Sequence, residues 1–73
     1  DLDVLDPSVF PGTGTPEPGG VSFEELRKAV TLVCQKANVV ACDVNELSPP
    51  YDQSGVSTMV ACKVVREMLL ALN

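Results

Sequence analysis

Residues 39–47 read VVACDVNEL, and whether that run is a strand decides the fold. It has too many β-branched residues, and too few polar ones, for a strand with one face in water. This is the composition of a strand buried on both faces, the habit of a parallel sheet. Pro49 and Pro50 close the run, since neither can donate a ladder hydrogen bond.

Working outward, helices flank this run on both sides. Upstream, Ser22 followed three residues later by Glu25 is a capping-box pattern, which predicts a helix over about residues 23–37. Its apolar positions Leu26, Ala29, Val30, Val33 and Ala37 recur at three and four residues and form one stripe. Downstream, a second helix is predicted from Ser54 or Gly55 to Leu72, with Asp52 or Ser54 as its cap. Further upstream, DLDV at residues 1–4 alternates acid and aliphatic, predicting a first strand with Asp1 and Asp3 on one side and Leu2 and Val4 on the other. That strand ends near Pro7. Residues 7–20 then hold four of the six prolines and four of the five glycines, and a loop of that length in a compact domain is functional or disordered. Strand, helix, strand, helix is the βαβα grammar of an α/β fold with a right-handed crossover. The second helix is apolar around most of its circumference, so more sheet is expected beyond this chain. A chain opening within a strand-like DLDV reads as a piece of something longer.

Composition narrows the chemistry. A domain of 73 residues buries only about 60% of the surface of its unfolded chain, so its core is marginal. Cys34, Cys42 and Cys62 contain no C-x-x-C pair, which suggests neither a structural zinc site nor a disulfide framework and fits a reduced, cytoplasmic chain. With no histidine in the sequence, a metal must be held by oxygen or by ligands outside this segment. The net charge of −5 and the absence of a basic cluster argue against nucleic acid and favour cationic ligands. The C-terminal run MVACKVVREMLLALN is too short and too charged to span a bilayer, and the acidic N-terminus is not a signal peptide.

In open α/β sheets ligands bind beyond the carboxyl ends of the strands. Asp1 and Asp3 lie at the first predicted strand and Glu46 at the end of the second, so three carboxylates are expected to converge on one crevice. Hard oxygen donors suit manganese, magnesium or calcium. Blander readings stand beside this one. Acids near a terminus are commonly solvated, Asp6 before Pro7 fits a turn cap, and Thr13 and Thr15 fit loop hydroxyls bonded to local backbone. Glu46 is harder to set aside, because a carboxylate ending a buried strand needs a partner. Asp43 lies on the opposite face, and the cysteines read as small buried hydrophobes.

The run DLDVLDPSVFPGTGTPEPGG, followed at a distance by NELSPPYD, closely resembles the signature segments of the ureohydrolase family, which includes agmatinases, arginases, guanidinobutyrases and formiminoglutamases. The resemblance spans essentially the whole chain. It implies a C-terminal βαβα part of a single three-layer αβα domain that holds two manganese ions at the edge of a parallel sheet. It also implies hydrolysis of a guanidino carbon–nitrogen bond, with the metals activating water. Carried over by position, Asp1 resembles the carboxylate bridging both metals and Asp3 a ligand of one. Thr15 matches a threonine beside the substrate guanidinium, Glu46 the glutamate that pairs with it, and Asp6 a residue supporting the loop.

The loop and the SPPYD turn look more like agmatinases and guanidinobutyrases than arginases. The expected reaction is therefore agmatine to putrescine and urea, a step of polyamine metabolism, or the matching cleavage of guanidinobutyrate. The family commonly forms homotrimers or hexamers. Its remaining ligands, in segments resembling GGDHS and DAHxD, are expected upstream of Asp1, so the isolated chain is expected to be inactive and to bind manganese weakly. The alternative is a non-catalytic structural or interaction segment, or part of a pseudoenzyme.

Overall fold

The computed structural model describes residues 1–72. The first helix starts where the capping box predicts. Ser22 Oγ accepts the Glu25 amide at 3.1 Å, and Glu25 Oε1 accepts the Ser22 amide at 2.9 Å. Those two bonds satisfy donors that a helix start otherwise leaves open. Helix α1 spans Phe23–Lys36 and ends one residue before the predicted boundary.

Helix α2 spans Val56–Ala71, and both predicted caps take part in its start. Ser54 Oγ accepts the Val56 amide at 3.2 Å, while Asp52 Oδ2 accepts the Ser57 amide at 2.8 Å. The chain enters through Gly55 at φ 81°, a left-handed conformation that glycine adopts without a Cβ penalty.

The two helices pack on one another, and the N-terminal segment lies across them. Leu2, Leu5, Phe10, Ala61 and Val64 form the buried core, with Leu26, Val44, Leu47 and Met68 packed against it. Leu5 and Phe10 are shielded completely, and burial of such side chains stabilises by about 1.5–3 kcal/mol each.

Neither predicted strand forms among the described residues. Leu2–Val4 is a 3-10 turn instead, closed by the Leu5 amide on the Leu2 carbonyl at 3.0 Å. A period of three places Leu2 and Leu5 on the same side. Both are buried while Val4 is exposed, so the expected two-residue alternation is lost. Residues 39–47 form neither strand nor helix, and Val40 is 88% exposed, the reverse of a strand buried on both faces. The physical reason is common to both segments: a strand is defined by a neighbour, and among the described residues there is only one isolated parallel bridge, Leu5 to Val21. The predicted βαβα unit is thus reduced to its two helices and two segments outside any strand.

The stripe on α1 is likewise covered along one edge only. Cys34 is buried and Leu26 and Val30 are half-buried, while Ala29, Val33 and Ala37 remain exposed. An open apolar hollow of about 340 Å³ lies between α1 and residues 39–42. On α2, Met59, Leu69 and Leu70 face outward. Cys42 and Cys62 are also exposed, against the expectation for buried thiols, and the three cysteines are free. No described helix is long and apolar enough to cross a membrane.

Candidate functional site

The proline- and glycine-rich loop takes its shape from one carboxylate. Asp6 Oδ1 accepts the Gly19 and Gly20 amides at 2.9 and 3.2 Å. Its Oδ2 accepts the Ser8 amide at 3.0 Å and the Ser8 hydroxyl. One side chain therefore holds both ends of a loop that has no ladder or helix of its own. The donors, with the Ser8 hydroxyl first and the Ser8 and Gly19 amides next, favour the ionised form and hold the Asp6 pKa down at about 2. Gly20 is required at the closure, since a Cβ there would stand 2.5 Å from the Asp6 nitrogen and 2.7 Å from the Val4 carbonyl oxygen.

This closure brings Thr15 back onto the first turn, where its hydroxyl donates to Asp3 Oδ2 at 2.9 Å. Two sequence candidates twelve residues apart are thereby joined directly. Thr15 was expected to be either a local loop hydroxyl or a substrate contact, and the bond to Asp3 was not foreseen. Thr13, by contrast, is buried with its hydroxyl unpartnered among the described residues.

Glu46 sits in a turn tied to the same segment on both sides. The Leu2 amide, between Asp1 and Asp3, donates to the Asn45 carbonyl at 3.1 Å, and the Ser48 amide donates to the Gly12 carbonyl at 2.7 Å. Glu46 itself has φ 81° and is exposed, which corrects the expectation of a buried strand-end carboxylate. A non-glycine residue in the left-handed region costs on the order of 1 kcal/mol and persists only where its surroundings impose it. Here the two flanking bonds do so. Asp43 is occupied locally, accepting from the Asn45 side-chain amide at 2.9 Å.

The expected convergence of three carboxylates is not found. Among the described residues, no group of three or more histidine, cysteine, aspartate or glutamate side chains could hold a metal ion. Asp1 and Asp3 offer hard oxygen donors of the type manganese takes, so they fit that metal in kind while falling short of a full set in number.

Sequence reasoning passed over Ser57. It is 1% exposed, its hydroxyl donates to Asp52 Oδ2 at 2.5 Å, and it accepts the Gly12 amide at 2.8 Å. Its signal in the sequence was a serine inside an apolar helix face, five residues after a capping aspartate. The Ser54 hydroxyl, then the Ser57 hydroxyl and amide, lower the Asp52 pKa to about 2.

Comparison with known proteins places this geometry. The sequence profile of the arginase family matches residues 1–71. An agmatinase of Halalkalibacterium halodurans is 48% identical over 96% of this chain and 25% of its own length. The human mitochondrial guanidino acid hydrolase is 46% identical over 99% of this chain and 20% of its own. The crystal structure of formimidoylglutamase from Bacillus subtilis superposes with a TM-score of 0.91 at 34% identity, over 97% of this chain and 22% of that one. The chain therefore spans about a quarter or less of the length of these relatives.

Proposed function

The chain belongs to the arginase family, and on that premise we propose that it is the C-terminal section of a single ureohydrolase domain that cleaves a guanidino carbon–nitrogen bond. Agmatine, giving putrescine and urea, is the substrate this reading favours, with guanidinobutyrate as the related case. The relatives named agmatinase and guanidino acid hydrolase support it. The observation that carries it is the hydrogen bond from Thr15 to Asp3, made beside a Glu46 turn tied by backbone to the same segment.

In this reading Asp1 and Asp3 hold part of the coordination of two manganese ions, and the rest comes from upstream residues of a three-layer αβα domain. When bound, the metals would supply an activated water and stabilise developing charge. The chain's own residues do the orienting. Thr15 fixes the rotation of the Asp3 carboxylate, because a donated hydrogen bond at Oδ2 leaves Oδ1 as the freer oxygen. Glu46 presents a carboxylate to a planar guanidinium, which it can receive through two parallel N–H donors. Asp6 keeps the loop closed and has no part in the chemistry. The net charge of −5 favours approach of a cationic substrate. Three unpaired thiols support a reducing, cytoplasmic setting, and the outward apolar residues of α2 support burial in a larger domain or a homotrimer or hexamer.

The test is urea release by the complete protein with manganese, on a panel containing agmatine and 4-guanidinobutyrate. Asp3→Asn is expected to lower kcat/KM by about 100-fold or more, and the isolated 73-residue chain is expected to release none. Full activity in Asp3→Asn would overturn the assignment. A complete protein that binds manganese but cleaves no guanidino compound would establish the non-catalytic alternative.

A further inference from the structure

Polar groups of five residues meet where the loop, the Glu46 turn and α2 come together. The Gly12 amide donates to Ser57 Oγ at 2.8 Å, and Ser57 Oγ donates to Asp52 Oδ2 at 2.5 Å. Asp52 is held from its other oxygen by the Ser54 amide and hydroxyl at 3.1 and 2.5 Å. On the far side of Gly12, its carbonyl accepts the Ser48 amide at 2.7 Å. Gly12 thus uses its donor on α2 and its acceptor on the Glu46 turn. It lies three residues before Thr15, and Ser48 lies two after Glu46.

From this arrangement we propose that Ser57, backed by Asp52, is a positioning latch that sets the register between the Thr15 loop and the Glu46 turn. The inference rests on the reading of Asp3, Thr15 and Glu46 as one site, and adds a residue which that reading does not include. Helix capping alone would explain the Ser57 amide on Asp52, but not the Ser57 hydroxyl. That hydroxyl spends its acceptor capacity on a backbone forty-five residues away. It is almost fully buried, where water cannot replace a lost partner and an unmet Gly12 donor carries its full desolvation penalty. The approach is also as close as the backbone permits. A Cβ on Gly12 would stand 2.7 Å from the Ser57 Cβ and 2.8 Å from its Oγ, so the loop reaches this depth only with glycine at position 12 and a small side chain at 57. The hydroxyl holds the Pro11–Gly12 peptide against α2, and the following peptide, Gly12–Thr13, carries the carbonyl that meets Ser48, so both anchors act on one residue.

The experiment compares Ser57→Ala with Ser54→Ala in the complete protein. Ser54 caps the same helix through the Val56 amide and donates its hydroxyl to Asp52, but makes no bond to Gly12 among the described residues, so its variant reads the loss of capping and of Asp52 support with the Gly12 bond kept. Ser57→Ala is expected to raise amide hydrogen exchange about ten-fold or more across residues 10–16 and 46–52. It is also expected to lower kcat by up to about 100-fold with a smaller change in KM and to leave the manganese content per chain unchanged. Ser54→Ala, which loses a cap and one donor to Asp52 but keeps the bond between Gly12 and Ser57, is expected to change exchange in the two segments and kcat by no more than a few-fold. Should Ser57→Ala fail to fold, Asp52→Asn, which keeps an acceptor oxygen for Ser57, is expected to give the same pattern at a few-fold scale. Unchanged exchange in the two segments, or equal effects from Ser57→Ala and Ser54→Ala, would overturn the latch, and faster exchange with kcat intact would overturn its role in positioning the site. A parent protein without guanidino hydrolysis would remove the functional reading alone, since the exchange comparison decides the latch by itself.

Discussion

Residues 6–20 and residues 39–47 are opposite answers to one problem, which is where a segment without a helix sends its backbone hydrogen bonds. The first contains most of the prolines and glycines and has no regular structure, yet it is fixed at both ends by Asp6, in the middle by Gly12 on Ser57, and onto the first turn by Thr15. The second has the strongest β composition in the chain and, among the described residues, is anchored through backbone only by the Leu2 amide on the Asn45 carbonyl. Side-chain acceptors travel with the sequence, so a loop that brings its own is complete within this chain. A strand's acceptors belong to its neighbours, so strand-forming residues alone leave it open.

The largest test of this contrast is Phe10→Ala. Phe10 is fully buried beneath the loop, and such truncations cost about 3–5 kcal/mol, comparable to the whole stability of a chain this small. The helical circular dichroism of the isolated chain at low micromolar concentration is expected to collapse. Retention of that signal would mean the loop is an ornament on a helix pair that is stable without it.

Val40→Ala sharpens the other side. In the isolated chain Val40 is exposed, so the unfolding free energy from denaturant titration is expected to change by less than about 0.5 kcal/mol. In the complete protein, where the proposal covers this segment with sheet, the cost is expected to be about 2 kcal/mol. Equal costs in the two settings would argue that no neighbour arrives.

The smallest effect concerns pH. Asp6 and Asp52 are lowered from 3.8 to about 2 by the donors around them. A depressed carboxylate contributes its stability fully above its unfolded pKa and loses it as pH falls toward the folded value. Loop anchoring is therefore expected to hold unchanged from pH 8 to pH 5 and to weaken only below about 4, the unfolded pKa. Hydrogen exchange or Tyr51 fluorescence across an acid titration reads this. A transition centred near pH 6 would point to some other group.

The helices were legible in the sequence because their signals are local: Ser22 with Glu25, Asp52 with Ser54, and apolar residues at helical spacing. The position of Asp6 before Pro7 likewise announced a turn. The strands were misread at residues 1–4 and 39–47, because composition reports burial only if the neighbours are present. Leu2 and Leu5 were placed by a three-residue turn, a period that four alternating residues cannot distinguish from a strand. The bond between Ser57 and Gly12 was hidden for a different reason, although the helix-start partner Asp52 is local. The two residues are forty-five apart, and nothing near either residue encodes that meeting.

The closure made by Asp6 has a consequence for changes in chain length. Because Asp6 meets Gly19 and Gly20 while Leu5 bridges Val21, the loop's two ends are already side by side, and the entropy of bringing them together is settled at the base. Adding a few residues at its exposed crest, around residues 16–18, then changes the closure term only by the slow logarithm of loop length. The crest can lengthen or shorten while the Thr15 contact and the base remain as they are.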